Sequence, residues 1–158
     1  MLNKERQEEV VELCQHLIQK QSYSGHEDGV AGVLEEQLKK KGFDSVTVDK
    51  YGNVIGCIKG NRPGKKILFD GHIDTVPVTD ETEWQYPPFA AEIHDGKIYG
   101  RGTSDMKGAV AGFVTAAAAF AEDTKKDFAG EIYVAGVVHE ECFEGVAARE
   151  ISNFVKPD

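Results

Sequence analysis

Two apolar runs in this chain end abruptly on groups that resist burial. Residues 130–138, GEIYVAGVV, lead straight into His139, Glu140 and Glu141, and residues 65–70, KKILFD, are followed at once by His72 and Asp74. A carboxylate or an imidazole loses solvation inside a protein. Each run is therefore predicted to be a buried strand that leaves the core where its polar residues begin. Helical periodicity fills the segments between, and helices alternating with buried strands define a layered α/β fold. With 158 residues the chain is long enough for one domain with its own core.

Val10, Leu13, Cys14, Leu17 and Ile18 recur at helical spacing, which predicts an amphipathic helix over 4–20. Ser24 with Glu27 three residues on has the form of a capping box. It would open a second helix, with Ala31, Leu34 and Leu38 on one face and Gly42 as its stop. SVTVDKYGNVIGCIKG reads as a hairpin about Tyr51-Gly52-Asn53, and Asn61-Arg62-Pro63-Gly64 as the turn before the next strand. Pro77, Pro87 and Pro88 predict a loop over 77–90, packed down by Trp84, Tyr86 and Phe89. Asp95-Gly96 marks a two-residue hairpin. Ser104 or Asp105 is expected to cap a helix through MKGAVAGFVTAAAAFAE, and a last helix is expected over about 143–155.

The net charge of −9 and the lack of a basic patch argue against a nucleic-acid or anionic-membrane partner. LKKKG at 38–42 suits a solvated helix end, where Lys complements the dipole. Cys14, Cys57 and Cys142 are odd in number, widely spaced and without a CxxC pair, which points to a reducing compartment, with Cys142 read as a core thiol. No apolar signal core or membrane-length stretch is present, so a cytoplasmic location is expected.

Three clusters carry the candidate chemistry. His72 and Asp74 follow one strand, Asp105 sits in the Gly-rich turn GRGTSD, and Glu140 and Glu141 follow another strand. Each alone has an ordinary reading: a loop histidine, an N-cap, a solvated pair at a helix entrance. Together they stand where open α/β sheets bind ligands, at the carboxyl ends of strands. A mixed imidazole and carboxylate set suits zinc better than calcium or magnesium. One carboxylate can bridge two ions about 3.5–4 Å apart. Of two adjacent glutamates, one can coordinate while the other stays free to take a proton from water.

FDGHIDTVP, WQYPPF, DGKIYGRGTSDMKG and HEE followed by EG occur in order along nearly the whole chain. In these motifs the chain resembles the metal-dependent aminoacylase family, which includes acetylornithine deacetylase, succinyl-diaminopimelate desuccinylase and glutamate carboxypeptidase. The resemblance implies a layered α/β/α, zinc-exopeptidase-like catalytic domain that hydrolyses linear amide bonds in N-acyl amino acids or short peptides. His72 would bind one ion, Asp105 would bridge both, and Glu141 would bind the other. Glu140 would be the general base, and Asp74 would orient His72 by accepting its hydrogen bond. The ions would be zinc, with cobalt or manganese as substitutes, and the Asp105–Met106 peptide bond would be cis. His16, His26, His94 and His139 match no ligand position.

The same resemblance implies parts outside residues 1–158. These are a further strand ending in an acidic ligand for the His72 ion, a distal histidine for the Glu141 ion, and a lid domain that makes a homodimer. The chain is thus expected to be the N-terminal part of the catalytic domain, incomplete, weakly active or inert alone, with apolar surface and a sheet edge uncovered. The alternative is a non-catalytic metal-binding or interaction domain of the same ancestry.

Overall fold

The computed structural model describes residues 3–142 and 145–158. Helix α1 (Lys4–Ile18) opens on Asn3, whose side chain accepts from the Arg6 N–H, and it buries Leu13, Cys14, Leu17 and Ile18. Helix α2 (Asp28–Lys40) buries Val30, Ala31, Leu34 and Leu38 and stops at Gly42, which lies in the left-handed region at φ 77°. Strands β1 (Ser45–Val48) and β2 (Val54–Lys59) form the hairpin read from YGN. Strand β3 spans Arg62–His72, β4 (Glu92–His94) pairs with β5 (Lys97–Tyr99) across Asp95-Gly96, and helix α3 covers Gly108–Thr124. Strand β6 (Ala129–Val137) and helix α4 (Val146–Val155) follow, and the loop expected over 77–90 holds one short 3-10 turn, Glu81–Glu83. The first two residues of the expected last helix, 143 and 144, lie outside the described residues.

The main sheet runs β1-β2-β6-β3, with β2 antiparallel and β3 parallel to β6. Phe69 of β3 stacks on Phe113 of α3, and a Cβ on Gly71 would meet Val110 and Phe113. Lys66, on the opposite face, reaches the Val155 carbonyl of α4. On the α3 face, Gly136 of β6 and Gly56 of β2 lie against Leu34 and Leu38 of α2. Helices α2 and α3 thus cover one face, with α1 packed on α3, and α4 covers the other. The layered α/β/α expectation holds. No described helix is long and apolar enough to cross a membrane.

Expectations for three parts of the chain are corrected. Asn61-Arg62-Pro63-Gly64 is no turn: β3 already begins at Arg62, and a register shift between Arg62 and Lys66 absorbs the proline and glycine. Proline is tolerated there because β3 is the edge strand. For the same reason KKILFD is not buried; Ile67 and Phe69 are 53% and 47% exposed. An uncovered edge and apolar surface were expected, and they lie here. Second, Cys142 is exposed and not a core thiol. Third, Ser24 and Glu27 make no capping box: the α2 N-cap, Glu27, has no side-chain cap bond.

The start of β6 is tight. Gly130 sits at φ 96°, and an added Cβ would overlap the Lys65 carbonyl oxygen of β3. Gly130→Ala is expected to cost about 2 kcal/mol or more, read as a lower urea midpoint with unchanged slope.

Candidate metal centre

Strands β3 and β6 are parallel neighbours with His72 paired to Val137. Their carboxyl ends therefore open side by side, which brings His72 and Asp74 next to Glu140 and Glu141. The third element is a single wide turn, Thr103–Lys107, between β5 and α3. Asp105 and Met106 have non-helical backbone there, so Asp105 does not cap α3, whose N-cap is Lys107. The Asp105–Met106 peptide bond is cis, as expected. Gly102 starts the turn at φ 87°, where a side chain would press on Thr75 and Lys107.

One ligand atom each from His72, Asp105 and Glu141 lie within 4.8 Å of one another. His72 is buried, and its Nε2 is 2.9 Å from Asp105 Oδ1 and 3.9 Å from Glu140 Oε2. Its Nδ1 is 3.0 Å from the Asp74 carbonyl oxygen and 3.4 Å from Asp74 Oδ1. A carbonyl only accepts, so Nδ1 carries a proton and Nε2 is the nitrogen turned toward the carboxylates. The bond that fixes the tautomer thus runs chiefly to the backbone of Asp74, with its carboxylate as the nearby counter-charge. The Asp74 carboxylate, opposed by burial and helped by Asp105 and then by the Asp74 carbonyl, pushes the imidazole up to about 9.

Asp74 is fully buried. Its Oδ2 accepts from the Ser24 hydroxyl at 2.7 Å and the Glu141 N–H at 3.1 Å, and its Oδ1 from the Glu140 N–H at 3.2 Å. Burial opposes its charge, yet the bonds from His72, Ser24, Glu141 and Glu140 outweigh it and hold the carboxyl at about 2. Asp74 therefore does more than orient one imidazole: it ties the end of β3 to the backbone of the loop after β6. Glu141 has its carboxyl raised, first by burial and then by Asp105, Glu140 and Asp74 crowding around it, against the lowering influence of His72.

Reading by sequence passed over Lys107. Its side chain is fully buried, and Nζ donates to the Leu17 and Lys20 carbonyls, 2.9 Å each, at the end of α1. Burial pulls its ammonium down to about 8. The signal was a lysine at the start of a helix, where the dipole disfavours a cation; it sits there because it caps another helix. Lys107→Met would strand two carbonyls and is expected to cost about 2–4 kcal/mol, measured by urea denaturation. Ser24 and Glu27 were also misassigned. Ser24 serves Asp74, and Glu27 Oε1 accepts from the His139 N–H at 3.0 Å.

The donor set fits divalent cations. One imidazole nitrogen and two carboxylates converge, the acids crowd enough to raise the Glu141 carboxyl, and nitrogen with oxygen donors is a combination zinc accepts.

Fold and site together define a layered α/β protein with a candidate metal centre at the carboxyl ends of its strands. The chain belongs to peptidase family M20/M25/M40, whose model matches residues 68–156. It is 36% identical over 140 residues to succinyl-diaminopimelate desuccinylase of Roseobacter denitrificans, a match that takes in 87% of this chain and 37% of that protein. Its structure matches an M20 family metallo-carboxypeptidase from Sulfolobus solfataricus with a TM-score of 0.83 and 25% identity, covering 95% of this chain and 36% of that one. A dinuclear metal binding peptidase of the M20 family from Bacillus subtilis shares the fold with a TM-score of 0.70 and 19% identity, over 96% of this chain and 40% of that one. The chain thus spans little more than a third of the length of the relatives it matches.

Proposed function

We propose that the whole protein hydrolyses linear amide bonds in small molecules, N-acyl amino acids or short peptides, and that residues 1–158 form the N-terminal part of its catalytic domain. The convergence of His72, Asp105 and Glu141 beside Glu140 carries this reading. His72 and Glu141 would each hold one divalent ion and Asp105 would bridge them; its side chain is 78% exposed, leaving Oδ2 open. Zinc suits these donors best, with cobalt or manganese as substitutes. When bound, the ions supply Lewis acidity that makes water more acidic and polarises the amide carbonyl. Glu140, outside the donor group and half exposed, takes the proton from the attacking water and delivers it to the leaving amine nitrogen. Asp74 keeps the Glu140 and Glu141 backbone in place while this happens. A desuccinylase and two metallopeptidases among the similar proteins support the reaction class. We propose further that the whole protein is cytoplasmic, where unpaired cysteines stay reduced, and that it is a homodimer.

Elemental analysis after dialysis against zinc, with assays on N-succinyl and N-acetyl amino acids and dipeptides, tests the proposal. The expected result is zinc retained by the whole protein and lost in its His72→Ala and Asp105→Asn variants. Hydrolysis by the whole protein should stop on addition of a chelator and return with zinc. Zinc bound without hydrolysis of any of these compounds by the whole protein would replace the enzyme reading with a metal-binding domain.

A further inference from the structure

The loop that carries Glu140 and Glu141 is held from a distant part of the chain. Three consecutive N–H groups leave the end of β6, those of His139, Glu140 and Glu141, and all three donate to buried carboxylates. The first goes to Glu27 and the other two to Asp74. His139 lies in the left-handed region at φ 59°, which turns these N–H groups together toward the two acids. The Glu27 carboxylate is buried too. Glu27 is only 6% exposed, it does not cap its own helix, and His139 Nδ1 stands 3.7 Å from its Oε1. Ser24, three residues earlier, fixes Asp74 through its hydroxyl. The segment itself is anchored on the same strand end: Ser22 Oγ donates to the Ile73 carbonyl at 2.7 Å, and the Thr75 N–H donates to the Ser22 carbonyl at 2.8 Å.

We propose that residues 22–27 are a clasp for the candidate metal centre, with Ser24 and Glu27 as positioning residues that act through Asp74 and His139 on the Glu140–Glu141 loop. The proposal rests on reading that loop as metal-binding. Its physical content is separate: the two side chains restrict the loop backbone whether or not an ion is present. Removing the Glu27 carboxylate takes away the acceptor of the His139 N–H. Loop opening then becomes local, with the helices and sheet intact.

Amide hydrogen exchange on the metal-free chain, and zinc affinity of the whole protein by competition with a chromophoric chelator, test this in Ser24→Ala, Glu27→Ala and Glu27→Gln. In Glu27→Ala the amides of residues 139–141 should exchange about tenfold faster relative to those of α3, with zinc affinity down about tenfold. Ser24→Ala should change the same amides in the same direction by less. Glu27→Gln keeps an oxygen to accept the His139 N–H and should stay within about threefold of the parent chain in both readouts. A role in general stability alone would raise exchange across α3 as much as in the loop, and that result overturns the clasp. So would loop exchange unchanged in Glu27→Ala, or Glu27→Gln as damaging as Glu27→Ala. If Glu27→Ala does not fold, Ser24→Ala decides, and unchanged loop exchange there overturns the proposal. A whole protein that binds no zinc defeats the metal reading, while the exchange comparison still decides the clasp.

Discussion

Glu140→Gln in the whole protein is expected to lower turnover of an N-acyl amino acid by about 10²–10⁴-fold, the range a positioned general base supplies, with zinc content and thermal stability unchanged. The structure separates the two neighbouring glutamates in a way that makes this test sharp. Glu141 contributes a carboxylate oxygen to the donor group with His72 and Asp105, whereas Glu140 stands at its rim, 3.9 Å from His72 Nε2 with a side chain 54% exposed. Glu140 meets Asp74 through its backbone N–H, which the substitution leaves untouched. Gln has the same shape but cannot take a proton, so only the proton-transfer step is removed. Glu141→Gln should behave differently, releasing metal along with activity. Substantial turnover in Glu140→Gln would remove Glu140 as the base and direct attention to another group at the rim.

The candidate site was legible in the sequence where chemistry contradicts burial. An imidazole or an acid at the exit of an apolar strand needs a reason, and two such exits on parallel strands place His72, Asp74, Glu140 and Glu141 together once the sheet forms. Asp105 was found by its Gly-rich turn, although the turn's actual geometry, with Lys107 rather than Asp105 as N-cap, lies beyond any propensity. Periodicity located β3 but not its place in the sheet. Ile67, Leu68 and Phe69 spell the same apolar run in an edge strand as in a central one, and only pairing decides which neighbour is missing. The Ser24 and Glu27 pair misled because a capping box and a clasp onto a remote loop use the same residue types at the same spacing. Lys107 was overlooked because its partners, the Leu17 and Lys20 carbonyls, are backbone atoms that no side-chain motif announces.

Asp74→Asn should be the most destructive single change to the folded chain. The Asp74 carboxylate uses both oxygens as acceptors, Oδ1 for the Glu140 N–H and Oδ2 for the Glu141 N–H and the Ser24 hydroxyl. An amide offers one acceptor oxygen and turns its NH₂ toward donors on the other side. It also removes the counter-charge of the buried His72 imidazole. Breaking one partner out of such a buried pair costs about 3–5 kcal/mol, so the metal-free chain should lose that much in urea denaturation at neutral pH. The pH dependence fixes the cause. Asp74 is held at about 2 against an ordinary 3.8, so its contribution is complete above 3.8 and disappears as pH falls through about 2. His72 is raised to about 9 from 6.5, so its contribution is complete below 6.5 and disappears as pH rises through about 9. Both shifts record largely one interaction and count once, at about 2–3 kcal/mol. Metal-free stability measured in a chelator should therefore form a plateau between pH 4 and 6.5 with an acid and an alkaline limb. In Asp74→Asn the plateau should drop and both limbs flatten. A parent chain whose stability is level from pH 6.5 to 9, or an Asp74→Asn variant that keeps the alkaline limb, would show that the His72 imidazole does not draw its proton affinity from Asp74.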